Sequence, residues 1–155
     1  MRVGIGYDIH ALKKGRGLVL GGVRIPFPRG LAGHSDGDVL THAIADAVLG
    51  AMGGGDLGNH FPDTDARWRG ADSFIFVKGI RQMLKKRRLK IAHVDSVIIA
   101  EEPKLADHKM KIQQNLAKAL GLQSSQVSVK AKTNEGFGAL GKKQAIACYA
   151  VVSLK

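Results

Sequence analysis

The pentapeptide GYDIH, residues 6–10, sets a carboxylate, Asp8, and an imidazole, His10, two positions apart just after the first apolar stretch, MRVGI. Residues two apart in an extended strand project to the same face, so both side chains can reach one ligand. An oxygen and a nitrogen donor converging in this way suit a divalent metal ion. The plainer alternative is a strand end carrying two solvated polar residues. A further imidazole, His42, lies within HSDGDVLTHAIADAVLGA and, if brought near the pair, would complete a three-ligand site.

Those donors need elements to hold them. A strand is expected at about 2 to 7, and Gly21-Gly22 between the apolar runs of LVLGGVRIPF signals a hairpin. A helix follows at about 36 to 52, with Ser35 as N-cap and Asp38 three residues later, resembling a capping box. Its buried stripe reads Val39, Leu40, Ala43, Ile44, Ala47, Val48 and Ala51. Asp38, His42 and Asp46 recur every fourth residue on another face, so His42 is expected to point away from the core. The stretch GGGDLGNHFPDTD, residues 53 to 65, is too rich in Gly and Asp/Asn for a regular element and reads as a mobile binding loop. A second helix is expected at about 72 to 87, with Phe74, Val77, Ile80 and Leu84 inward, then a strand at 94 to 100 and a third helix at 107 to 120 stopped by Gly121. Two last strands, QVSVKAKT and AIACYAVVSL, flank the loop NEGFGALGKKQ. The fold class is therefore α/β of the α+β type, one two-layer domain over residues 1–155 with helices on one face of a mixed sheet.

Composition narrows the function. With 45% hydrophobic residues the chain reads as globular, no apolar run approaches the roughly 20 residues of a membrane span, and no signal-peptide pattern opens it. No membrane association and a cytoplasmic location are expected. The single cysteine, Cys148, lies in an apolar run and reads as a buried, inert thiol. The balance of 24 Lys and Arg against 13 Asp and Glu, a formal +11, predicts anionic partners, either nucleic acid or phosphorylated metabolites. Aromatics make up only 5% and are not interleaved with the basic residues, so no stacking surface for nucleic acid is expected. The run KKRRLK at 85 to 90 reads as a solvated helix end.

The segments GYDIH, GGVRIP, HSDGDVLTHAIADAVLGA, GDLGNHFPDTD, ADS, AEEPKL, KAKTNE and AIAC follow one another in the order and spacing of the 2-C-methyl-D-erythritol 2,4-cyclodiphosphate synthase family. The chain resembles that family, which serves the non-mevalonate isoprenoid pathway, over nearly its whole length. The resemblance implies that Asp8, His10 and His42 hold zinc or a similar divalent ion, with a fourth position left for a diphosphate oxygen. It implies that His34 and Ser35 contact substrate phosphates beside the first helix, His34 with a catalytic role. Asp56, Leu57 and Gly58 would grip the hydroxyls of the methylerythritol unit, with Phe61, Pro62, Asp63, Thr64 and Asp65 closing above it. Ala100, Glu101, Glu102, Pro103, Lys104, Leu105 and Ala106 would line a cytidine and diphosphate pocket together with Lys132, Thr133, Asn134 and Glu135. In that set Thr133 matches a transition-state contact and Glu135 a holder of magnesium or manganese between the phosphates.

The reaction so implied is intramolecular: the 2-phosphate of a CDP-linked methylerythritol phosphate attacks the β-phosphorus, closes a cyclic diphosphate and expels CMP. A phosphate is already an ionised nucleophile, which fits motifs that supply metal ligands and phosphate binders without a nucleophile and adjacent base. The resemblance also implies a homotrimer with active sites between subunits and a central cavity for an isoprenoid diphosphate. An uncovered sheet face, expected from the apolar last strands, supports the assembly. Several positions depart from the family pattern: Lys132 for a small hydroxyl residue, Ala139 for Phe, Lys142 for Arg and Gln144 for Glu. Lys142 lacks the bidentate fork of Arg, which weakens the case for the cavity ligand. Two alternatives remain at this point, a divalent-metal phosphohydrolase acting on nucleotide diphosphates and a basic nucleic-acid-binding module.

Overall fold

Small and bulky side chains alternate along the first strand, and that alternation decides how the molecule is layered. A computed structural model describes residues 1–155. In β1 (Arg2–Lys14), Gly4, Gly6, Asp8 and His10 share one face and Val3, Ile5, Tyr7 and Ile9 the other. A Cβ on Gly4 would stand 2.1 Å from the Ala47 carbonyl oxygen, and one on Gly6 1.9 Å from that of Ala43. Only glycine lets α1 (Val39–Met52) lie this close against the strand backbone.

The strand β1 pairs antiparallel with β7 (Ala145–Leu154) and, near its end, with β4 (Arg29–Leu31). Beyond β7 lie β5 (Ile91–Ile99), antiparallel to it, and β6 (Val127–Lys132), parallel to β5, giving the order β4-β1-β7-β5-β6. A separate hairpin, β2 (Leu18–Leu20) and β3 (Val23–Ile25), turns at Gly21-Gly22, both at positive φ as the tight turn requires. The helices α1, α3 (Phe74–Lys86) and α4 (Lys109–Leu120) cover one face of this mixed sheet, and α4 ends at Gly121 with φ 72°. Cys148 is wholly buried, and burial pushes its thiol well above the ordinary range. The opposite face is left apolar and open, with Val3 60% and Ile5 69% exposed. The expected α+β architecture with helices on one side is the observed one.

Four local expectations are corrected. The first strand runs on to Lys14, so Asp8 and His10 sit within it rather than at its end, because β7 and then β4 keep supplying hydrogen-bond partners. Asp38, not Ser35, caps α1: its wholly buried carboxylate accepts from the amides of Thr41 (3.1 Å), Gly21 (2.9 Å) and Gly22 (2.7 Å) and from the Thr41 hydroxyl (2.8 Å). The polar row of α1 is thus a seam between the helix and its neighbours. Residues 53–65 include a short helix, α2 (Leu57–His60), whose N-cap is Asp56. On α3 the fully inward aromatic is Phe76, while Phe74 is only half-buried.

Candidate active site

One turn beyond the Asp38 cap, α1 presents His42, and its close seat on Gly4 and Gly6 carries that imidazole to Asp8 and His10. Asp8 Oδ2 lies 2.7 Å from Nε2 of His10 and 3.0 Å from Nδ1 of His42. One ligand atom from each of the three side chains falls within 4.8 Å of the others. Burial pushes the Asp8 carboxyl up, but hydrogen bonds with His10 and His42 and their charges outweigh it and hold the group well below the usual carboxylate range. Burial likewise works against a charged His10, yet the bond to Asp8 and its negative charge raise that imidazole above its ordinary 6.5.

The remaining ring nitrogens are also engaged. Nδ1 of His10 donates to the Ala32 carbonyl, while Nε2 of His42 lies 2.9 Å from the Ser73 hydroxyl and 3.1 Å from that of Ser35. Each imidazole is anchored through one nitrogen and offers the other, as metal-ligating histidines do. A carboxylate oxygen and two imidazole nitrogens, convergent and mostly shielded from water, fit a divalent cation, and this cluster can bind one.

The triad opens into a cavity of about 460 Å³. His10, His34, Ser35 and His42 form one wall, Leu57, Gly58, Phe61, Pro62, Asp63 and Thr64 the other, and Trp68 and Phe76 the back. The facing wall is anchored at its start, because Asp46 of α1 accepts from the Leu57 amide at 2.7 Å and Asp56 from the Asn59 amide at 2.9 Å. Burial raises the Asp46 pKa, and the charges of Asp56 and Asp8 add to that rise. Phe61, Trp68 and Phe76 pack as an aromatic cluster with ring centroids 5.0 to 5.9 Å apart. His34 Nε2 is buried without a hydrogen-bond partner, an orphan that a ligand oxygen would satisfy. Asp65 turns instead to Arg67, at 2.6 Å.

The remaining expected residues gather elsewhere. Ala100, Glu101, Pro103, Lys104, Leu105, Ala106, Lys132 and Thr133 line a second cavity of about 240 Å³. Glu101 Oε1 accepts from the amides of Asn134 (2.7 Å) and Gly136 (3.2 Å), so that oxygen is committed to shaping the turn. Within the turn the Thr133 hydroxyl donates to Glu135, which adopts φ 50°, uncommon for a residue other than glycine. Glu102 pairs with Lys143 at 2.5 Å rather than facing this cavity, and Lys142 closes the short helix α5 (Gly138–Gly141). Asp8, Cys148, Ile98 and Ala131 align in one row across the sheet. The two groups therefore sit at the same end of the sheet, but β7 and β5 separate them by three strand spacings, about 14 Å.

Sequence reasoning missed Trp68 and Phe76, and met Asp36 and Ser73 only inside the motifs HSDGD and ADS. The one local signal for the aromatics was their crowding between residues 61 and 76, which periodicity assigns to core.

Comparison with known proteins agrees with this geometry. The model of the YgbB family matches residues 1–155. A Syntrophomonas wolfei protein named 2-C-methyl-D-erythritol 2,4-cyclodiphosphate synthase is 50% identical over 100% of this chain and 99% of its own. A Synechococcus protein of the same name is 53% identical over 99% of this chain and 98% of its own. A solved structure of a 2C-methyl-D-erythritol-2,4-cyclodiphosphate synthase in a CDP-bound form superimposes with a TM-score of 0.91 at 38% identity, covering 99% of this chain and 100% of that one. With a family model spanning every residue and relatives at half identity end to end, the chain belongs to the YgbB family, the family of the 2-C-methyl-D-erythritol 2,4-cyclodiphosphate synthases.

Proposed function

We propose that this protein converts 4-CDP-2-C-methyl-D-erythritol 2-phosphate to 2-C-methyl-D-erythritol 2,4-cyclodiphosphate and CMP, as a single cyclodiphosphate synthase domain spanning residues 1–155. The observation that carries this reading is the Asp8–His10–His42 cluster opening into a cavity walled by His34, Ser35 and the 57–64 segment. Zinc or a similar ion on the three side chains, with magnesium or manganese at Glu135, supplies Lewis-acid stabilisation of phosphate charge when bound.

The chain's own groups do the rest. His34, with its unpartnered Nε2, and the Ser35 hydroxyl hold phosphate oxygens, and the segment started by Asp56 closes Leu57 and Gly58 over the diol. Asp46 keeps that segment in register through the Leu57 amide. The aromatic cluster of Phe61, Trp68 and Phe76 limits water near the reacting phosphates, which favours ring closure over hydrolysis. Thr133 contacts the phosphoryl group in flight, and the cavity lined by Ala100, Glu101, Pro103 to Ala106 and Lys132 takes the cytidine and its diphosphate, with Asn134 and Glu135 in the adjoining turn.

Within one chain these two sets stand about 14 Å apart, so we place the active site between subunits of a homotrimer. The open apolar face of Val3, Ile5, Tyr7 and Ile9 with Tyr149 and Val151 supplies the surface such an assembly buries. Lys142, a point charge, makes a central isoprenoid diphosphate site weak. No helix is long and apolar enough to cross a membrane. We place the enzyme in the cytoplasm with its nucleotide substrate. Phosphorus NMR of the products tests the reading: a cyclic diphosphate with equimolar CMP is expected, and an open-chain bisphosphate with CMP would refute it in favour of hydrolysis.

A further inference from the structure

We infer that Ser73, oriented by Asp36, is the positioning residue that decides which nitrogen of His42 faces the ion, an inference resting on the metal reading of the triad. Ser73 occupies the N-cap of α3, yet its hydroxyl makes no cap bond to the helix. It is wholly buried and turned the other way, with Oγ 2.5 Å from Asp36 Oδ1 and 2.9 Å from His42 Nε2. A serine hydroxyl has one proton to give, and an ionised carboxylate can only accept. Asp36 also accepts from the amides of Ser73 and Asp38, both at 3.1 Å, which pins its carboxylate as the acceptor of the hydroxyl proton.

Ser73 Oγ is then left as an acceptor, and toward it His42 Nε2 can only donate. With the proton on Nε2, the lone pair resides on Nδ1, the atom that faces Asp8 Oδ2 at 3.0 Å. The Ser35 hydroxyl, 3.1 Å from the same Nε2 and 3.3 Å from both Ser73 Oγ and the Gly37 amide, is the more distant second acceptor. His10 is fixed in the opposite sense, since its Nδ1 bonds to the Ala32 carbonyl and Nε2 faces Asp8. The two imidazoles of one site are thus held as different tautomers by different devices, a backbone carbonyl for one and a carboxylate–hydroxyl chain for the other. A carboxylate behind the hydroxyl makes its oxygen a better acceptor, which raises the basicity of Nδ1 as a ligand.

The test uses full-length protein with ¹⁵N-labelled histidine, loaded with ¹¹³Cd as a spectroscopic stand-in for zinc. Metal coupling to Nδ1 of His42 and Nε2 of His10, with a proton on Nε2 of His42, is expected. Coupling to Nε2 of His42 overturns the proposal. Ser73→Ala is expected to weaken zinc binding by roughly 10–100-fold in chelator competition, and Asp36→Asn by less, the scale of losing an outer-shell partner. Both variants binding within twofold of wild type, with folded amide spectra, would also overturn it. If wild type takes up neither metal, the metal reading itself has failed. In the metal-free protein at roughly pH 9, where Asp8 competes for the His42 proton, Ser73→Ala is expected to move that proton further toward Nδ1, and a tautomer balance unchanged by the substitution would refute the Ser73 role.

Discussion

Gly6→Ala tests whether the metal site depends on how closely α1 is seated on β1. The new Cβ would stand 1.9 Å from the Ala43 carbonyl oxygen and 2.8 Å from the Ala47 amide. Both atoms belong to the backbone of α1, so no side chain can swing away. Clearing even the 3.0 Å that real Cβ contacts essentially never breach requires the helix to retreat by about 1.1 Å. Overpacking of this kind destabilises by about 1–3 kcal/mol, which in a chain of this size lowers Tm by roughly 2–12 °C. His42 rides on the helix while Asp8 and His10 ride on the strand. Because ligand distances tolerate only about 0.2 Å, the displacement should weaken zinc binding by at least about tenfold. The assay pairs thermal melts of the metal-free protein with zinc competition against a chromophoric chelator. Gly50→Ala is the control: it lies on the same helix, its Cβ would meet only the Ile5 carbonyl oxygen at 3.8 Å, and it should slightly raise Tm without touching zinc affinity. A Gly6→Ala protein that melts with wild type and holds zinc equally well would refute the claim that this contact positions His42.

The triad's ionisation gives a second prediction for the metal-free chain. The depressed Asp8 contributes stability present above its ordinary 3.8 and lost as pH falls through the lower folded value; the raised His10 contributes below 6.5 and loses it as pH rises through the higher one. The stability gap between wild type and Asp8→Asn should therefore peak between those values and narrow on both sides, and a gap that keeps widening above neutrality in denaturant titrations would contradict the assignment. Zinc must displace the proton on His10, so its affinity should fall as titrations are moved from roughly pH 8 to pH 6, and a flat profile would separate zinc from His10. Asp56→Ala should raise KM or abolish turnover with zinc content intact, whereas unchanged kinetics would leave Asp56 as a helix cap alone. Co-refolding equal amounts of His42→Ala and Glu135→Ala should restore roughly a quarter of wild-type activity through interfaces intact on both sides. No recovery, with mixed trimers present by native mass spectrometry, would put both halves of the site in one chain.

Much of this was legible in the linear chain. The two-residue spacing of Asp8 and His10 puts them on one strand face wherever the strand ends, because strand periodicity is fixed by backbone geometry. The stripe from Val39 to Ala51, the Gly21-Gly22 turn and the stop at Gly121 are likewise local matters of period and permitted φ. What the sequence left open depends on which surfaces meet. The four-residue repeat of Asp38, His42 and Asp46 reads only as a face turned from the core until the hairpin, β1 and the 57–64 segment pack against it. Only then does Asp38 become a buried cap, His42 a ligand and Asp46 an anchor. Gly4 and Gly6 carry no chemistry of their own, yet their missing side chains set the helix-to-strand distance on which the triad rests. Nothing near Ser73 in sequence points to Asp36 or His42, since the helix expected from about 72 places it in an ordinary first turn; the folded chain redirects its one proton. Local backbone physics fixed the elements and the donor types, and the tertiary packing chose which atom of each donor faces its neighbours.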